Sequence, residues 1–249
     1  MSTLDEAHTR FTHASLSDSV LINSVPKCGT MLLRNILVMF VPWEQISWPF
    51  VTNDNLPEPP ETPTCFTGHL KYSARSLKFA RKTRHLVLVR HPHSQILSYA
   101  RFMWSSHWKD SPLGQFIREQ EMTFDEVVRL MITGWQAGNE IIDSPKDFFI
   151  HNAIAWSGQA TIVKYEELRK AISELDEDYF RRLLDAAGLN LPTDWRERIA
   201  IASDPEYSST ASEKFSTDDR KYLTTEERAL FESVAPGICK ALGYREMPD

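Results

Sequence analysis

Three side chains able to hold an anion or handle a proton stand where hydrophobic runs end. Lys27 lies in Pro26-Lys-Cys-Gly-Thr30, shortly after the apolar run Val20-Leu21-Ile22. His69 follows Gly68 at the end of Thr64-Cys-Phe-Thr-Gly-His-Leu70, and Arg90 closes His85-Leu-Val-Leu-Val-Arg90. From Met31 the apolar residues recur as Leu32, Leu33, Ile36, Leu37 and Phe40, the spacing of a helix. A helix N-terminus presents unpaired backbone N–H groups and the positive end of a dipole, so the loop around Lys27 suits phosphate or sulfate. An ordinary strand–helix connection with a solvated lysine would give the same local pattern. Three polar strand ends coincide, and parallel sheets bind ligands at the carboxyl ends of their strands, which together point to a site.

The elements that must position these groups alternate along the chain. The pattern predicts a strand over 19–23 and a helix over 30–41, then a short strand over 64–70 and a basic helix over 72–82. A central strand over 85–90 precedes a helix entered at Pro92, with Ile96, Leu97, Ala100 and Met103 on one face. Residues 105–122 read as irregular. Helices follow over 123–136 and 146–157, a strand over 160–165 and a short helix over 166–171. Helices over 176–187 and 194–202 come next. Thr224-Thr-Glu-Glu227 opens a last helix as a capping box, and Pro236 kinks or splits it. Strands alternating with helices predict an α/β fold: one domain spanning 1–249, a central parallel sheet flanked on both faces. Residues 1–17 form a polar lead-in expected to be partly disordered, and 52–63 and 204–224 are expected mobile loops.

Composition narrows the function classes. At 249 residues, 42% hydrophobic and 25% charged, the chain is ordinary for a soluble protein. A net charge of −6 argues against a general nucleic-acid or membrane-surface binder, so local positive groups must hold any anionic ligand. Three cysteines, Cys28, Cys65 and Cys239, are too few and too scattered for a disulfide framework or a zinc motif, which points to the cytoplasm. The polar start does not resemble a signal peptide, and no apolar run reaches the ~20 residues of a membrane span.

The Lys27 loop is not that of a nucleoside triphosphatase. Such a loop places its lysine after the glycines and follows it with a hydroxyl for magnesium. Here the lysine precedes the single glycine, and the neighbouring hydrophobic strand ends in Arg90 rather than an aspartate. No metal is expected, and a donor whose transferable group is less charged than a phosphoryl suits the site.

Pro26-Lys-Cys-Gly-Thr30 resembles the 5′-phosphosulfate loop of the cytosolic-type sulfotransferases, P-K-S/A-G-T/N-T-W. Arg90-His-Pro-His-Ser-Gln-Ile-Leu-Ser98 resembles their 3′-phosphate motif, R-[DN]-P-x-D-x-x-x-S, with arginine and serine at the same separation. Gly68-His69-Leu70 falls where that family carries its catalytic histidine, and Val163-Lys-Tyr-Glu-Glu-Leu168 is similar to its Y-E-D-L segment. The match runs in order over residues 19–170, with a weaker echo in Leu242-Gly-Tyr244.

The resemblance implies a P-loop-like fold, 3′-phosphoadenosine-5′-phosphosulfate (PAPS) as co-substrate with PAP as product, and a small-molecule acceptor. By position it puts Lys27 on the bridging oxygen and the N–H groups of Cys28, Gly29, Thr30 and Met31, with the Thr30 hydroxyl, on the 5′-phosphate. Leu32 falls where the adenine-stacking tryptophan stands. Arg90 and Ser98 take the 3′-phosphate, Tyr165 the adenine, and His69 the proton of the acceptor hydroxyl or amine. A histidine of pKa ~6.5 is largely neutral near pH 7, as that role requires.

The chain departs from the pattern in several places. Met31 replaces a threonine, Leu32 the tryptophan, and Ser94 an acidic residue. The late R-K-G and G-x-W segment is missing; Lys214, in Ser212-Glu-Lys-Phe-Ser-Thr, is its nearest substitute. Two other readings stay open: a metal-dependent small-molecule kinase on a related P-loop fold, and a catalytically inactive relative that binds the nucleotide. Trp43, Trp48, Phe50, Trp104 and Trp108 suit either an aromatic-lined acceptor pocket or loop packing.

Overall fold

A computed structural model describes residues 3–58, 61–105, 110–138, 140–207 and 220–245. In chain order its first elements are α1 (Thr3–His8), β1 (Ser19–Ser24), α2 (Thr30–Val38), β2 (Cys65–Gly68), α3 (Ala74–Ala80) and β3 (Thr83–Val89). Then come α4 (Pro92–Trp104), α5 (Pro112–Glu119), α6 (Phe124–Thr133), β4 (Trp135–Ala137), β5 (Glu140–Ile142) and α7 (Pro145–Asn152). The remainder is β6 (Thr161–Lys164), α8 (Tyr165–Glu174), α9 (Glu177–Ala186), α10 (Trp195–Ala202), α11 (Thr225–Val234) and α12 (Ile238–Ala241). These residues pack as two compact units, 1–89 with 151–209 and 90–150 with 210–249.

The first unit is built on a four-stranded parallel sheet ordered β2-β1-β3-β6. Every residue of β1 is buried, as are the last five of β3. A parallel strand buried along its length is covered on both faces, which is why these segments are apolar runs rather than alternations. Helices flank the sheet: α2 packs on β1 and β2, α3 on β3, and α8 on β6. The α/β class with a central parallel sheet is therefore as the alternating pattern implied. The chain leaves β1 toward β2 and leaves β3 toward β6, so the strand order switches between β1 and β3, where such sheets bind ligands.

The second unit is helical, with α5 and α6 packed on α4 and α11 on α6, plus the antiparallel β4–β5 hairpin. That hairpin lies where the pattern extends a helix to residue 136. The helix stops at Thr133 because Gly134, at φ 82°, leaves the helical region. α5 falls inside the segment read as irregular. Ser111 caps it by accepting the Gly114 N–H, and Pro112 stands at its first position. Pro236 separates α11 from α12, as expected.

The lead-in carries α1, which buries Leu4 and Ala7. The 52–63 loop makes hydrogen bonds to the segment after β2. Asn53 exchanges hydrogen bonds with the Lys71 N–H and C=O at 2.8 and 3.0 Å, and Arg75 donates to the Leu56 carbonyl. The expected mobile stretch 204–224 falls largely outside the described residues.

One core group makes this unit sensitive to acid. His85, 6% exposed in β3, meets Trp156 edge-on, and neither ring nitrogen finds a hydrogen-bond partner among the described residues. Burial pushes its pKa from 6.5 down to about 4. The unfolded chain therefore takes up this proton first as pH falls, and stability present above about 6.5 is lost toward 4, by up to about 3 kcal/mol. Urea melts should show His85→Leu flattening this acid-side slope. A variant whose slope matches wild type would contradict the assignment.

Candidate active site

β1 ends in two polar residues, Asn23 and Ser24, both fully buried. The chain then turns through Val25–Gly29, with Lys27 at φ 66° and Gly29 at φ 96°. Positive φ is natural for glycine and costly for lysine, so the turn holds Lys27 in a sparsely populated conformation. The Cys28 N–H donates to the Val25 carbonyl at 3.3 Å and closes the turn. Gly29 is the N-cap of α2, no side chain caps that end, and the intrahelical ladder begins with Leu33 N–H to Gly29 O. The N–H groups of Thr30, Met31 and Leu32 thus lie ahead of the ladder, at the positive end of the helix dipole.

His69 comes to this turn from the end of β2. Its Nδ1 lies 3.0 Å from the Ser24 carbonyl oxygen and 3.0 Å from Ser24 Oγ, which in turn lies 2.6 Å from Thr30 Oγ1. A carbonyl can only accept, so Nδ1 carries the proton and Nε2 keeps its lone pair. Ser24 Oγ then accepts from Nδ1 and shares a second hydrogen bond with the Thr30 hydroxyl, in which either oxygen can donate. The chain of bonds links an unprotonated Nε2 to the hydroxyl of Thr30. Burial, together with the positive charge of Lys27, lowers the His69 pKa below 6.5, opposed by the bond to Ser24. The imidazole is accordingly neutral at pH 7.

Asn23 fixes where His69 stands. Its Oδ1 accepts from Leu70 N at 2.8 Å and Ser24 N at 2.9 Å, while its Nδ2 donates to Leu70 O at 3.1 Å. Trp156 Nε1 donates to the same carbonyl at 3.2 Å. On the other side the His69 N–H donates to the Val51 carbonyl at 3.0 Å. Gly68 permits that approach, because a Cβ there would stand 2.0 Å from Val51 O. Sequence reading passed over Asn23 and Ser24. Two polar residues following the apolar run Val20-Leu21-Ile22, shortly before the loop, were the available signal.

Tyr165, the first residue of α8, lies over the same turn: a Cβ on Gly29 would come within 2.5 Å of its ring. Lys27, Gly29, Thr30, His69 and Tyr165 therefore belong to one neighbourhood of the first unit, with Met31 and Leu32 half-buried on the opening turn of α2. Arg90 and Ser98 belong to the second unit. Arg90 follows the last residue of β3 and is half-buried, and Ser98 is buried in α4. Lys214 and Trp108 lie outside the described residues. Of the other aromatics, Phe50 faces His69, ring centres 5.6 Å apart, whereas Trp43 and Trp48 pack on each other at 4.5 Å. Arg34 lies 4.8 Å over Trp48, and Trp104 packs on Phe124.

Among solved structures the chain is similar to mouse sulfotransferase SULT7A1 complexed with PAP, with a TM-score of 0.58 over 98% of this chain and 93% of that one. The chain has the sulfotransferase fold. At 14% sequence identity the likeness extends to the fold and no further. No family model and no curated protein matches the sequence. Among the described residues no helix is long and apolar enough to cross a membrane.

The contact between Gly29 and Tyr165 is open to direct measurement. Gly29→Ala should lose roughly 2 kcal/mol in urea unfolding, from left-handed strain and the clash with the ring. Adding Tyr165→Ala should return the clash part, about 1 kcal/mol, so the double mutant is less destabilised than the sum of the singles. Strict additivity would mean that the ring does not lie over the glycine.

Proposed function

We propose that this chain is a PAPS-dependent sulfotransferase, which moves a sulfuryl group to a hydroxyl or an amine of a small-molecule acceptor. The observation that carries the reading is the bond chain from His69 through Ser24 to Thr30. It holds a neutral histidine with a free Nε2 beside an uncapped helix N-terminus. The fold shared with a sulfotransferase supports it, as do the ordered motifs in the sequence.

In this reading the N–H groups of Gly29 to Leu32 and the Thr30 hydroxyl hold the 5′-phosphate, the Cys28 N–H being engaged with Val25. Tyr165 contacts the adenine. The sequence motif assigns Arg90 and Ser98 to the 3′-phosphate, and Lys214 stands in for the absent late segment. The acceptor oxygen attacks sulfur while His69 Nε2 takes its proton. The bond from sulfur to the 5′-phosphate oxygen breaks, and its electron pair stays on that oxygen. The Lys27 ammonium balances the charge that develops there, where a preorganised positive group contributes most. Phe50, facing His69, offers an apolar wall to the acceptor. The reaction needs no metal, and reduced Cys28, Cys65 and Cys239 suit a cytoplasmic setting.

A donor-consumption assay against a panel of hydroxyl and amine acceptors tests the assignment. His69→Ala should lower turnover by about 10²–10⁴ while still binding PAP, and Lys27→Met should lower turnover similarly and weaken PAP. In wild type kcat/KM should fall with acid along a limb centred below pH 6.5, since protonation removes the base. Lys27→Met should raise that midpoint by removing a neighbouring cation. Near-normal turnover in His69→Ala, or an acid limb above 6.5, would overturn the role of His69.

A further inference from the structure

The second unit contains a side-chain cluster that sulfuryl transfer does not use. Pro92 opens α4 and sets His93 in its first turn. Glu232 lies in the last turn of α11, and Cys239 in α12, beyond the Pro236-Gly237 turn. One ligand atom from each of His93, Glu232 and Cys239 falls within 4.8 Å of the other two. His93 and Cys239 are 6% and 3% exposed, while Glu232 is exposed.

A second observation points to a missing ligand. His93 Nε2 is buried and makes no hydrogen bond among the described residues. Buried polar atoms are nearly always satisfied, and an exception calls for an absent partner such as water or an ion. The ring is held in place by Phe231, edge-on at 4.8 Å, and His91, edge-on at 5.1 Å. Glu232 also accepts the Gly237 N–H at 3.4 Å, which steadies the turn carrying Cys239.

We propose that His93, Glu232 and Cys239 form a site for a borderline divalent transition-metal cation, zinc being the best match. Imidazole, thiolate and carboxylate together are zinc donors, whereas magnesium and calcium take oxygen ligands. With metal–ligand bonds of about 2.0–2.3 Å, tetrahedral donors stand roughly 3.5 Å apart. Closing from the observed spread takes about 1 Å, within reach of the solvent-facing Glu232 side chain. Thiolate and carboxylate neutralise the two positive charges, and the exposed face at Glu232 admits the ion and a water as fourth ligand. The bound ion clasps the start of α4 to the α11–α12 turn. The cysteine spacing did not suggest zinc because the donors come from separate stretches of the chain. This inference stands apart from the proposed reaction.

The full chain, stripped with a chelator, is titrated with cobalt(II) and then with zinc. One equivalent of cobalt should produce a thiolate-to-cobalt charge-transfer band that zinc bleaches, and zinc should raise Tm by roughly 5 °C at saturation. Cys239→Ser should abolish the band, and His93→Ala should weaken cobalt binding by at least about 100-fold. Cys28→Ser and Cys65→Ser should retain it. Metal-free melts and far-UV circular dichroism confirm that each variant is folded. Absence of the band in wild type at stoichiometric cobalt, or its survival in Cys239→Ser, overturns the proposal.

Discussion

Two oxygens of one residue hold the candidate site together. The carbonyl and the hydroxyl of Ser24 both lie 3.0 Å from His69 Nδ1, and that hydroxyl also reaches Thr30 at 2.6 Å. The carbonyl fixes the proton on Nδ1, because it can accept but never donate. With Nδ1 committed, Nε2 keeps its lone pair. A single serine at the end of β1 thereby sets the tautomer of His69 and joins it to Thr30 of α2. Loss of the carbonyl contact would leave the tautomer of His69 undetermined, since a hydroxyl partner can donate or accept.

This arrangement depends on the sheet around it. β1 and β2 are parallel neighbours, with Asn23 in register with Gly68, so their ends carry Ser24 and His69 to the same place. Asn23 locks those ends with three hydrogen bonds, and its 0% exposure makes each of them worth more than at a surface. Gly68 and Gly29 make room, one for a carbonyl and the other for an aromatic ring. Burial then keeps the imidazole neutral, and the nearby Lys27 charge acts in the same direction. In the proposed reaction, the lysine held at positive φ and the neutral histidine serve a negatively charged donor that gives up a group to a nucleophile.

Much of this was legible in the sequence, for physical reasons that can be named. Continuous apolar runs announced β1 and β3, because strands covered on both faces need no alternation. The loop, the helix start and His69 were visible as polar residues at the ends of such runs. The β4–β5 hairpin was not, since strands of three residues are too short to show a period, although Gly134 and Gly138 break the helical pattern there. α5 was overlooked although Ser111-Pro112 is a good start signal, because its apolar residues are few. Asn23 and Ser24 were hidden for another reason. Their importance lies in hydrogen bonds to residues 47 and 45 positions away, which spacing within one element cannot reveal. The meeting of His93, Glu232 and Cys239 was illegible on the same ground.

The tautomer of His69 tests the account most directly. Long-range ¹⁵N–¹H correlation spectra of the ring at neutral pH should show a protonated Nδ1 and an unprotonated Nε2, held in that state by Ser24. An Nε2-protonated ring, or rapid averaging between the two forms, would contradict it, since the histidine would then offer no fixed lone pair to an incoming nucleophile.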